Sequence, residues 1–135
     1  MLGEKVGTMS GPTSLKALPA TNGNPTFETS AIGLTGTLAG ADVQSHATYS
    51  AELRPNGTLL GECPNAGIVM AADGLATFRA TGIGRFTEDG GADFKGVVYF
   101  ETSAPSLASI DGIAVVYDWV VDGAGNATWD LWEWK

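Results

Sequence analysis

The sequence predicts an all-β protein, a single closed antiparallel β-barrel of about eight strands in meander order filling one domain, residues 1–135. Three observations predict it. The run Leu75–Ser103, LATFRATGIGRFTEDGGADFKGVVYFETS, has a complete inside and outside. If Phe86 pairs with Ala92, one face carries Phe78, Ala80, Gly82, Gly84, Phe94, Gly96, Val98 and Phe100. The other carries Arg79, Arg85, Asp93, Lys95 and Glu101, with Arg85 opposite Asp93. That is the period of a half-buried sheet, and the glycines let long strands bend. Turn signals recur at regular spacing while helical periodicity is missing. Finally, 19 of 135 residues are glycine and only 16% are charged, against about 7% and about 25% in ordinary domains. Such a composition suits many turns around a large interior. Long strands in meander order expose two edges or close on themselves, and bending favours closure.

The elements follow in order. Short strands are expected at Lys5–Met9 and Ser14–Leu18, parted by Ser10-Gly11-Pro12. Pro19 and Asn22-Gly23-Asn24-Pro25 form a loop. Strands Thr26–Leu38 and Val43–Leu53 are joined by Ala39-Gly40-Ala41-Asp42. With Leu38 facing Val43, Ile32 faces Tyr49, Leu34 faces Ala47 and His46 lies opposite Thr35. Thr29, Thr35, Thr37, Gln44, His46, Thr48 and Glu52 then point outward. In Arg54-Pro55-Asn56-Gly57, proline sets φ at the second position and Asn-Gly supplies positive φ. Thr58–Cys63 returns with Leu59 opposite Leu53. A separate strand, Gly67–Ala72, follows Pro64-Asn65 and turns through Asp73-Gly74. The long hairpin comes next, turning at Thr87-Glu88-Asp89-Gly90-Gly91. Ala104–Asp111 is a longer connection with room for one helical turn. The last hairpin pairs Gly112–Val121 with Ala127–Trp134.

Charge and composition exclude several functions. A formal charge of −8 repels nucleic-acid backbones and anionic membrane surfaces, so neither is an expected partner. No apolar run approaches the ~18 residues of a membrane span, and the first residues lack the apolar core of a secretory signal. A cytoplasmic location is expected. Cys63 and His46 are each the only residue of their kind. No metal site and no cofactor are therefore expected. Cys63 falls on the apolar face with no cation to lower its pKa, which reads as an inert thiol. Gly82-Ile83-Gly84 lies mid-strand without a following lysine, which excludes a phosphate loop. Its glycines fit bends, or room beneath Phe94 and other rings. Asp118 and Asp130 face each other across the last hairpin, as an acid–base pair would. The alternate face is more apolar, which puts both outside with Lys95 or Arg85 to neutralise them.

The aromatic residues form the main constellation. Tyr49, Phe78, Phe100, Tyr117, Trp119 and Trp129 all fall on inward faces, spaced by alanines and glycines. Two functions are open. One is a cavity that binds a small hydrophobic molecule, touched by tyrosine hydroxyls and Glu28. The other is a non-catalytic structural or interaction module with a filled core. An empty volume of at least ~300 Å³ separates the two. On the opposite face, Ala114, Val116, Val120, Trp132 and Trp134 form a contiguous apolar strip. It predicts a homo-oligomer through Trp132 and Trp134, unless residues 1–20 fold over the strip.

The hairpin GIGRFTEDGGADFKGVVYFETS, Gly82–Ser103, resembles the glycine- and aromatic-rich hairpin of the allene oxide cyclase and dirigent type of barrel. The carboxyl-terminal pattern from Leu107-Ala108 through Ile110-Asp111-Gly112 to Leu131-Trp132-Glu133-Trp134-Lys135 is similar to small uncharacterised bacterial proteins of that class. The resemblance implies an eight-stranded antiparallel barrel, apolar inside and commonly oligomeric. Some members of that class cyclise or orient hydrophobic, oxygenated substrates. The resemblance thus implies that an enzymatic version of the binding reading would be a cyclase or isomerase working by confinement. The motif is a structural hairpin, and it carries no catalytic residue onto this chain.

Overall fold

A computed structural model describes residues 2–21 and 23–135, the side chains of residues 21 and 64–66 excepted. Alternating sequence becomes nine strands among the described residues. They are β1 (Leu2–Pro12), β2 (Ser14–Thr21), β3 (Asn24–Leu38), β4 (Ala41–Leu53), β5 (Leu59–Ala71), β6 (Gly74–Phe86), β7 (Ala92–Thr102), β8 (Val115–Val121) and β9 (Asn126–Trp134). From β3 to β9 each strand pairs antiparallel with the next. The strand β1 lies between β9 and β3, with Gly7–Ser10 on Leu38–Thr35, and this closes an eight-stranded barrel. Closure satisfies every strand of the ring on both sides. The ninth strand, β2, pairs only with β3 and extends one wall past the rim.

The 75–103 hairpin has the expected register, with Phe86 on Ala92, Arg85 on Asp93 and Phe78 on Phe100. Leu59 lies on Leu53, and Asp118 on Asp130. The connection after β7 is a 3-10 helix, Pro105–Ile110.

The β3–β4 register differs from expectation. Ala39 and Gly40 both take positive φ, 54° and 81°, so a two-residue turn joins the strands and Leu38 meets Ala41 instead of Val43. Gly33, at φ 91°, is an extra residue in the ladder. Ile32 pairs with His46 and Leu34 with Ser45, replacing the expected Ile32–Tyr49, Leu34–Ala47 and His46–Thr35 pairs. One bulged residue reverses the alternation upstream of it. Thr29 therefore points inward, 5% exposed, while Ile32 is 57% exposed.

The separate strands expected at Thr58–Cys63 and Gly67–Ala72 are one strand, β5. Cys63 pairs with Ala80 and Gly67 with Phe78, so β5 carries two residues more than β6 over this stretch. The same excess opposes β4, between the Ser50–Glu62 and His46–Ile68 pairs. A bulge absorbs Pro64-Asn65, and pairing resumes on both sides. Of the loop expected at Asn22-Gly23-Asn24-Pro25, Asn22 lies outside the described residues, and Asn24 and Pro25 begin β3.

One end of the barrel is plugged. Leu34, Leu38, Val69, Val98, Val115 and Leu131 are buried there, and Leu107 and Ile110 of the 3-10 helix cap them at 0% exposure. Asp73 in the β5–β6 turn clips the plug down. It accepts hydrogen bonds from the Ser106 amide (2.8 Å) and hydroxyl (2.6 Å).

Candidate functional site: an aromatic shaft open at one end

Above the plug the interior belongs to rings, and glycines seat them. Tyr117 of β8 lies beside the Gly82–Gly96 pair of β6 and β7. A Cβ added at either glycine would come within 2.6 Å or 2.5 Å of the Tyr117 hydroxyl. Phe94 rests on Gly84 in the same way, and Phe78 on Gly67. The mid-strand glycines thus make room for rings, as their position in the sequence implies. The Tyr117 hydroxyl donates to the Thr81 carbonyl at 3.1 Å.

All six predicted aromatic residues join one continuous cluster. Trp129 stands at its centre, with ring centroids 5.1 Å from Phe78, 6.0 Å from Tyr117 and 6.2 Å from both Phe100 and Trp119. Trp119 Nε1 donates to the Tyr49 hydroxyl at 3.0 Å, and the Tyr49 and Phe94 rings meet in a T-shaped arrangement with centroids 5.8 Å apart. Ring pairs of this geometry stabilise by about 0.5–1.5 kcal/mol beyond the area they bury.

Two spaces adjoin the cluster. An inner chamber of about 60 Å³ is lined by Ala31, Cys63, Phe78, Ala80, Tyr117 and Trp129, among others. A cleft of about 290 Å³ lies at the mouth, lined among others by Leu15, Phe27, Thr29, Phe86, Gly91 and Asp122. Tyr49 and Phe94 line both, forming the neck between them. Trp119 borders the chamber, whereas Phe100 lines neither space and packs behind Trp129. Phe86, on the inward face at the rim, is 45% exposed and meets Phe27 edge-on at 5.4 Å.

The tyrosine hydroxyls and the thiol of the shaft are held in their neutral forms. Burial pushes the Tyr49 phenol up, against hydrogen bonds from Thr29 and Trp119 that lower it. Burial also drives Tyr117 well above its usual value, with Tyr49 and Cys63 adding to the effect. The Cys63 thiol, 5% exposed, is pushed up by burial against a Gly67 backbone hydrogen bond. It donates to the Thr48 carbonyl at 3.6 Å. Such groups hydrogen-bond as neutral hydroxyls and a thiol; none is poised as a base.

The remaining candidates lie elsewhere. Glu28, expected as a polar contact in the cavity, precedes the Gly33 bulge and points away from the shaft, between Lys16 and Ser50. Thr29 takes its place. The only clue to this in the sequence is the isolated Gly33, a signal for a bulge. Asp118 and Asp130 lie on the outer wall, each with its own cation: Lys95 to Asp118 at 2.9 Å and Lys5 to Asp130 at 3.0 Å. Trp134 is 55% exposed, and the Lys5 ammonium sits 5.6 Å from the Trp132 ring centre. The amino-terminal strand runs beside β9 instead of across the tryptophan strip. Among the described residues no group of three or more His, Cys, Asp or Glu is placed to hold a metal, and no helix is long and apolar enough to cross a membrane.

No protein-family model matches the chain, and no curated protein does. Solved structures do. A Rhodopseudomonas palustris protein of unknown function superposes with a TM-score of 0.79 at 14% identity, covering 98% of this chain and 97% of its own. A Clostridium acetobutylicum protein of unknown function gives 0.80 at 12%, covering 98% of each. A protein of Acinetobacter baumannii described as beta-barrel like gives 0.78 at 14%, covering 98% and 94%. These likenesses show the fold, a barrel end to end. They carry no link to allene oxide cyclase or dirigent proteins.

Proposed function

We propose that this barrel binds a small, largely apolar molecule that enters at the mouth and reaches the neck formed by Tyr49 and Phe94. The two ring-lined spaces that share Tyr49 and Phe94 as lining residues carry the reading. The chamber alone admits only a slim group. The mouth, at about 290 Å³, stands at the lower limit of a ligand pocket. The hairpin resemblance fits a barrel that shapes an apolar molecule, and the protonated Tyr49, Tyr117 and Cys63 around the chamber favour confinement over proton abstraction.

An environment-sensitive apolar dye tests this. It should bind the native protein and quench tryptophan fluorescence, with a weaker response in Trp119→Phe and an unchanged one in His46→Ala. No binding across a broad apolar library would favour the structural-module reading instead.

The outer wall supports self-association as well. Val97, Val116 and Trp132 form one cross-strand row, with the exposed Tyr99 and Trp134 beside it. Around them Lys5, Arg79 and Lys95 balance Glu101, Asp118 and Asp130. Two copies of a chain with charge −8 can therefore meet there without local repulsion. Sedimentation equilibrium should show an oligomer that Trp132→Ser with Trp134→Ser dissociates. A wild type still monomeric at high micromolar concentration would rule the interface out.

A further inference from the structure

The chemistry of the mouth selects among apolar ligands. Phe27, Tyr49, Phe86 and Phe94 all border the cleft, and Asp122 is its only charged lining residue among those described. Asp122 Oδ1 accepts the amides of Ala124 (3.0 Å) and Asn126 (2.9 Å), which fixes the carboxylate at the rim. Among the described residues no Lys, Arg or His lines the cleft. Arg54, at the same end, is turned onto the Thr58 hydroxyl at 3.1 Å, and Arg85 lies on the outer face opposite Asp93.

We propose that the occupant of the mouth is an organic cation, an alkyl- or arylammonium whose apolar tail points through the neck toward Trp119. The proposal rests on the binding reading given above. Ring faces attract an ammonium through their quadrupoles, more strongly as the group is desolvated. A carboxylate at the solvent-exposed rim adds an opposite charge, which added salt screens. An anionic ligand meets the reverse, a fixed carboxylate on a protein of charge −8. A neutral one gains only the apolar contact.

The test compares benzyltrimethylammonium, its uncharged isostere neopentylbenzene, and phenylacetate, by tryptophan fluorescence titration of the full chain. The cation should bind at least about tenfold more tightly than the isostere, and phenylacetate most weakly. Asp122→Asn, which keeps an oxygen for the loop amides, should cut that preference severalfold, as should added salt. Phe86→Leu, at a half-exposed ring, should do the same, and it serves alone if Asp122→Asn does not fold. Equal or tighter binding of the isostere overturns the cation proposal while the binding barrel stands. A preference untouched by the folded variants places the cation elsewhere and overturns it too. If neither these probes nor the apolar dye bind, the binding reading itself fails.

Discussion

The two ends of this barrel use the same strands differently. At the plugged end, inward positions carry branched aliphatic side chains, and a 3-10 helix adds Leu107 and Ile110 at 0% exposure. At the mouth, inward positions carry Phe27, Thr29, Ala51, Phe86 and Gly91, and β2 lifts one wall past the rim. The difference teaches where this sequence spends its stability. Aliphatic packing fills one end, while rings on glycine seats leave narrow space above it. Each end also has an aspartate clip. Asp73 holds the plug, and Asp89 ties the two mouth turns by accepting from the Thr87 hydroxyl and the Gly91 and Gly123 amides.

The largest test of this contrast is Phe100→Ala. The ring lies 3% exposed between Phe78 and Trp129, so denaturant unfolding should show a loss of about 3–5 kcal/mol. A much smaller loss would mean that a void already lies behind Trp129. Gly82→Ala should come next. Its new Cβ would press on the Tyr117 hydroxyl, and overpacking of this kind costs about 1–3 kcal/mol. Adding Tyr117→Phe removes the oxygen in the way and should recover part of that loss, whereas strict additivity would deny the ring its seat.

The clips predict an acid response of smaller size. The hydroxyl and amide of Ser106 hold the Asp73 carboxyl below its usual value, with burial opposing. A carboxyl lowered on folding adds stability above its unfolded pKa of about 4, and that contribution is lost as pH falls through the folded value. The stability gap between wild type and Asp73→Ala should thus be full at neutral pH and close as pH drops below about 4. A gap independent of pH would leave the carboxylate no part in holding the plug. The smallest effect belongs to the rim. Phe86→Ala, at a ring 45% exposed, should cost less than about 1 kcal/mol while still altering dye binding. A loss as large as that at Phe100 would erase the distinction between the two ends.

The sequence by itself determined the barrel, the register of the long hairpin and the inward set of six aromatic residues, because strict alternation sorts a strand's faces locally. The outward Asp118–Asp130 pair and the glycines beneath rings were legible for the same reason. Tertiary structure decided what alternation cannot encode. The Gly33 bulge reverses the face of upstream β3 and exchanges Glu28 for Thr29 in the lining. The excess residues in β5 look like a break in the sequence, and only pairing with both β4 and β6 carries the strand through. Closure by β1 between β9 and β3 rests on contacts between the two ends of the chain. The division into a packed end and an open mouth likewise depends on volumes. How far rings from six strands fill a shared interior is a property of their three-dimensional packing, and no single strand's pattern contains it.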